Sequence, residues 1–197
     1  MPAPGELRFR SAGEGDAQGI AALHADSWQR HYRGAYADAF LDDEVPGFHL
    51  ELWTSRFASP DPGACTVLAE LDQAGDGSRL VGMAHTILDS DPAWGALLDN
   101  LHVVYGLKRQ GVGTRLMSLT AEAVLAEKPG SGLYLWVLEQ NVNAQAFYNA
   151  RGGTCVERRD APAPGGKTAR LNGKPGCFRY AWPDPSKLLE TASHIVT

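Results

Sequence analysis

The chain is 197 residues long, 44% hydrophobic and 21% charged, with a formal net charge of -5, a length that supplies one domain with a full core and is too short for two. No basic run exceeds Lys108-Arg109 or Arg158-Arg159, which argues against a nucleic-acid groove and favours a cationic small partner. No apolar run approaches the roughly 20 residues of a membrane helix, residues 1–6 lack the charged-then-apolar pattern of a signal, so export is not expected, and three cysteines without C-x-x-C spacing (Cys65, Cys155, Cys177) suit neither a disulfide framework nor zinc.

In chain order, Leu7 and Phe9 alternate with Arg8 and Arg10 as a half-buried strand, and Ile20, Leu23 and Trp28 recur at helical spacing. Trp28, Tyr32 and Tyr36 form an aromatic group on and after that helix, with Asp42, Asp43 and Glu44 nearby. They either line a pocket suited to a cation, or Trp28 is core and the acidic triplet a solvated loop. Gly47 to Phe57 reads as another helix, stopped by Ser59-Pro60-Asp61-Pro62-Gly63. Strands are expected near 64–71, 79–88 and 96–104, with 72–78 as a hairpin loop between the first two.

The third strand leads into Leu107-Lys108-Arg109-Gln110-Gly111-Val112-Gly113-Thr114. Gly111 and Gly113 remove the side chains that would hold an anion off the backbone, and a helix pattern begins near Arg115, so peptide N–H groups can converge on a diphosphate at its positive end. A dinucleotide fingerprint would need glycine at Leu116, and a Walker loop would need Gly-Lys-Ser/Thr; both fail. The helix runs to the stop Lys128-Pro129-Gly130, and Leu133 to Leu138 is a buried strand. A helix over Asn141 to Arg151, with Asn141 suited to capping it, precedes closing strands at Thr154 to Arg159 and Cys177 to Trp182. The loop 160–176 between them is expected to be mobile, as a flap over a site or a surface excursion.

Two of these segments carry a resemblance. The first resembles the Gln/Arg-x-x-Gly-x-Gly/Ala acyl-CoA loop of the GNAT N-acetyltransferase superfamily, with Lys108 in the Gln/Arg place. The second resembles that superfamily's Asn-x-x-Ala-x-x-apolar-Tyr-x-x-x-Gly helix through Asn141, Ala144, Phe147, Tyr148 and Gly152, with Gly153 where many members have Phe. The amino end, with His24, Trp28, Tyr32 and Gly34, looks like members whose acceptor site lies under the first two helices. The likeness spans about residues 7–182 of a single 1–197 domain, leaving a flexible tail at about 184–197.

The resemblance implies an α/β (α+β) GNAT fold: a mixed, mostly antiparallel, splayed sheet of six to seven strands flanked by about four helices. It implies acetyl-CoA as co-substrate, with no metal, held by Leu101, Val103, Lys108, Arg109, Gln110, Gly111, Val112, Gly113, Thr114, Asn141, Ala144 and Phe147. The pantetheine arm would occupy a gap between Leu101–Tyr105 and Trp136–Leu138, the Val103 N–H would meet the thioester oxygen, and Tyr148 would be the general acid. Trp28, Tyr32, Tyr36 and His85 would line the acceptor pocket. A phenol with pKa of about 10 is protonated at neutral pH and can supply a departing thiolate.

The base stays open among Asp99, which leads, His102 and His85, each able to act through water. Alternation sets Asp99, Leu101 and Val103 on one face and Asn100 and His102 on the other unless a bulge intervenes. The expected reaction is acetyl transfer to a primary amine, on a small molecule or peptide, by direct attack in a ternary complex; the cysteines lie outside both motifs. The rivals are a non-catalytic acyl-CoA-binding sensor and a nucleotide-binding regulator. A cytoplasmic location is expected, with no nucleic-acid or membrane partner and a homodimer as the default assembly.

Overall fold

Leu7 and Phe9 lean on the core from β1 (Leu7–Ser11) while Arg8 and Arg10 face solvent, as strand alternation requires. The computed structural model describes residues 5–73 and 77–189. Within them, α1 (Ala17–His31), α2 (Val45–Ala58), α3 (Val112–Glu127) and α4 (Val142–Ala150) flank a single sheet. Its other strands are β2 (Ala64–Gln73), β3 (Gly77–Asp91), β4 (Gly95–Val103), β5 (Leu133–Leu138), β6 (Thr154–Asp160) and β7 (Gly176–Trp182). The spatial order is β1-β2-β3-β4-β5-β7-β6. Only β4 and β5 pair in parallel, giving the mixed, mostly antiparallel sheet that was expected. The tip of the β2–β3 hairpin, residues 74–76, lies outside the described residues.

Each face of the sheet is covered by a helix pair, because each helix has one apolar stripe to bury. Leu116, Met117, Ala121 and Val124 of α3 pack on Val81, Leu98, Leu133 and Leu135, joined by Tyr148 from α4. On the opposite face Ile20 and Leu23 of α1 and Trp53 of α2 close over Leu68 and Met83. Leu188 is buried in the α3-side core, so the chain beyond Pro183 stays packed as far as the described residues run; the rest of the expected tail, 190–197, lies outside them. No helix among the described residues is long and apolar enough to cross a membrane.

The loop between β6 and β7, expected to be mobile, is instead pinned. Arg170 donates to Glu44 at 2.6 Å and to the Pro164 carbonyl at 3.2 Å, and its guanidinium lies over Phe40 and Phe48. The Arg170 carbonyl accepts from the Ala37 N–H, and the Asn172 N–H donates to the Ala35 carbonyl. Ala161 to Pro164 are thereby held as one wall of the cleft described next.

Candidate active site

β4 carries one residue more than its ladder needs. His85 pairs with Asn100 and Thr86 with Leu98, which leaves Asp99 bulged out between them. Leu98 and Leu101 consequently both serve the α3-side core, while Arg56 of α2 donates to Asp99 at 2.7 Å and to Asn100 at 3.0 Å on the other face. Strict alternation would have put Asp99 and His102 on opposite faces; the bulge brings both to one cleft.

Beyond the bulge, β4 and β5 part. Their parallel pairing is confined to Ala96 with Leu133 and Leu97 with Tyr134. Val103 sits opposite Gly82 and Leu101 opposite Ala84, while the Val104 N–H donates to the Val81 carbonyl at 2.9 Å. In that phase the N–H and C=O groups of Leu101 and Val103 point away from β3, into the gap. The gap separates the edges expected from the resemblance and widens into a cleft of about 1610 Å³.

The glycine loop closes one end of the cleft. Gly111 precedes α3 with φ +82°, a left-handed conformation that suits glycine, and Arg109 shares it with φ 66° at a cost of about 1 kcal/mol or more. The first turn of α3 leaves N–H groups without helical partners and a partial positive charge at its mouth. Lys108, Arg109, Gln110, Gly111, Gly113 and Thr114 line the cleft there. A Cβ at Gly113 would stand 3.4 Å from the Phe147 ring. Val112 contributes only its peptide: its side chain is buried toward Gly82. Lys108 turns its ammonium to the His31 ring at 2.8 Å and over the face of Tyr105. Arg151, overlooked in the sequence although it stands beside Gly152, lies over Phe147 and also reaches the cleft.

Asn141 caps α4, its Oδ1 accepting from the Ala144 N–H at 3.3 Å, which starts the helix so that Ala144, Phe147 and Tyr148 face the cleft. Tyr148 is buried among Phe147, Tyr180 and Trp182. Burial, and then the neighbouring Tyr32, push its phenol up from the ordinary value. Tyr32 is pushed up to about 12, by burial and then by Asp99.

Trp28, Tyr32 and Tyr36 form the opposite wall, with the Trp28 ring 5.0 Å from each tyrosine. Trp28 also packs on Phe40 and His49, so it is both wall and core. Two expectations fail here. His85 does not reach the cleft: it is buried, with Nδ1 2.7 Å from the Thr66 hydroxyl and its ring against Trp53. The carboxylates of Asp42 and Glu44 are ion-paired to Arg33 and Arg170, and neither these two nor Asp43 lines the cleft. Of the other residues expected to hold acetyl-CoA, form the acceptor wall or act in catalysis, only Val112 is absent from the lining, while His24, Gly34 and Gly152 also lie outside it. Arg56 and Asn100 were missed because their pairing joins residues 44 apart in the chain.

Behind this wall lies a buried cluster of histidines. The His24 ring stacks on His49 at 3.6 Å and lies 4.5 Å from His102. Trp53 Nε1 donates to His24 Nδ1, and His102 Nδ1 meets the Ser27 hydroxyl at 2.8 Å. Both ring nitrogens of His49 and Nε2 of His102 are buried without a partner among the described residues. Burial, with Arg56 and the other rings adding repulsion, holds His49 and His102 down to about 3 and His24 well below its ordinary value. No group of three or more His, Cys, Asp or Glu among the described residues is arranged to hold a metal ion.

Residues 20–152 match the family model described as "Acetyltransferase (GNAT) family". The chain is 27% identical over 149 residues to "Probable N-acetyltransferase Rv2775" of Mycobacterium tuberculosis, covering 75% of this chain and 80% of that protein. Among solved structures, the PaiA N-acetyltransferase of Thermoplasma acidophilum in complex with coenzyme A matches with a TM-score of 0.66 at 17% identity, over 90% of this chain and 99% of that one. Arabidopsis thaliana NAA60 in complex with a bisubstrate analogue matches with a TM-score of 0.63 at 16% identity, over 90% and 97%. At such identities the structural likeness is one of fold.

Proposed function

The chain belongs to the GNAT acetyltransferase family, and from that premise we propose that it transfers an acetyl group from acetyl-CoA to a primary amine by direct attack in a ternary complex. The observation that carries this reading is the pair of peptide edges at Leu101 and Val103, turned into the gap where β4 leaves β5, with the glycine loop at one end and Tyr148 beside it. An extended chain of amides, such as a pantetheine arm, matches an edge of that kind. Acetyl-CoA, when bound, supplies an activated acetyl group on a thioester.

The peptides of Val112 to Thr114 and the cations Lys108, Arg109 and Arg151 suit the phosphate end, with Gln110 and the bare Gly111 and Gly113 admitting it. Asn141, Ala144 and Phe147 shape the wall below. The Val103 N–H is the donor for the thioester oxygen. Tyr148 keeps its proton until a thiolate needs it, and burial disfavours both anions alike because each loses water on charging. Asp99, held by Arg56, accepts the proton of the amine directly or through water. His102 is a poor alternative, since its surroundings resist the charge it would acquire.

Thiol release from acetyl-CoA across a panel of peptide N-termini, aminoglycosides, polyamines and amino acids tests the reading, with intersecting double-reciprocal lines expected for an active amine. Parallel lines would exclude direct transfer, CoA binding without release from any amine would point to a sensor, and stronger stabilisation by ATP or NAD to a nucleotide regulator. Gly113→Asp separates fold from binding. A carboxylate in the first turn of α3 favours the helix dipole by about 0.3–1 kcal/mol but repels a diphosphate, so CoA affinity is expected to fall by about 100-fold with the melting temperature unchanged or slightly raised.

A further inference from the structure

The charges at the end of the cleft away from the glycine loop are nearly all paired. Asp99 holds Arg56, and Asp91 accepts from the Ala93 and Trp94 N–H groups while facing Arg179 at 3.4 Å. Arg179, buried among Trp94, Tyr134 and Trp136, also lies 3.1 Å from Glu157. Arg159 is different. Its guanidinium carbon sits 3.7 Å above the centre of the Trp136 ring, it lines the cleft beside Cys177, and no carboxylate among the described residues lies within ion-pair distance.

A guanidinium resting on an indole is held in orientation; one N–H of Arg159 is taken by the Cys177 thiol and the others carry no ion pair among the described residues, so the side chain can still grip a planar oxyanion through two parallel hydrogen bonds. The aromatic wall of Trp28, Tyr32 and Tyr36 adds area for an apolar body but no charge. No unpaired carboxylate among the described residues stands in this part of the cleft to attract a second cation. Resting on the transfer reading above, we propose that the acceptor is an amine that also bears an oxyanion, a carboxylate or phosphate, held by Arg159 on its Trp136 platform. This reverses the cationic acceptor suggested by overall charge, because net charge sums the whole surface whereas the acceptor meets one cation.

The test uses matched pairs: phenylalanine against 2-phenylethylamine, and phosphoethanolamine against ethanolamine, with the 197-residue chain and its Arg159→Gln and Arg159→Lys variants. The member that bears the oxyanion is expected to exceed its partner without one by about 10- to 100-fold in kcat/KM in one of the pairs. The preference should collapse in Arg159→Gln, while turnover of the amine without an oxyanion persists. Arg159→Lys should restore part of it, and the pair that responds names the anion. Equal rates within both pairs, or a preference that survives Arg159→Gln, would overturn the proposal. Thermal stabilisation by phenylalanine and phosphoethanolamine in the presence of CoA reads the site without turnover. Stabilisation lost in Arg159→Gln, with no thiol release, would uphold the anion site and refute transfer, whereas no stabilisation by either, without release, would refute the site too.

Discussion

Replacing Tyr148 by phenylalanine is expected to lower kcat for acetyl transfer by about 10²- to 10⁴-fold, the range that a positioned proton donor contributes, with CoA affinity changed by less than about twofold. The ring contacts with Phe147, Tyr180 and Trp182 are all kept by phenylalanine. No side-chain or backbone group among the described residues is hydrogen-bonded to the hydroxyl, so its removal orphans nothing and the melting temperature should scarcely move. Stopped-flow thiol release beside calorimetric CoA titration gives both numbers. Unchanged kcat in Tyr148→Phe would remove this residue from the chemistry.

The second large effect is on stability in mild acid. His49 and His102 are held to about 3 and His85 to about 4, with burial the first cause in each case, and His24 is lowered as well. An unfolded histidine titrates near 6.5 and so binds protons that the folded rings refuse. Stability is therefore fully present above about pH 6.5 and is lost as pH falls toward the folded values, at about 1.4 kcal/mol per pH unit for each ring. At pH 5 that is roughly 2 kcal/mol per histidine, and three of them approach the whole stability of an ordinary domain, about 5–15 kcal/mol. Urea midpoints from pH 8 to 5 should drop steeply. His49→Leu leaves no polar partner stranded and should shallow the slope by about one proton. A flat profile would show that the cluster admits protons without unfolding.

The sheet and its helices were legible because period 2 and period 3.6 survive in single-sequence spacing, as Leu7 and Phe9 or Met117, Ala121 and Val124 show. The glycine loop and the Asn141 cap were legible for a related reason: their chemistry is local. What escaped depends on partners far along the chain. Arg170 meets Glu44 across 126 residues, so the 160–176 loop read as free. Arg56 meets Asp99 across 43 residues, and nothing near either announces the other. His85 was assigned to the right strand but is shut away from the cleft, enclosed by Thr66 of β2 and Trp53 of α2, which come from distant parts of the chain. The acidic run at Asp42 to Glu44 looked available because Arg33 and Arg170, which neutralise two of its members, were not visibly nearby.

Asp99 is a supernumerary residue. With it left out of the count, Leu98, Leu101 and Val103 fall in step on one side and Asn100 and His102 on the other, as a regular strand would place them. The strand can therefore exchange, or even shed, this aspartate without shifting the register of any neighbour, so position 99 is free of the constraint that the ladder places on the residues around it.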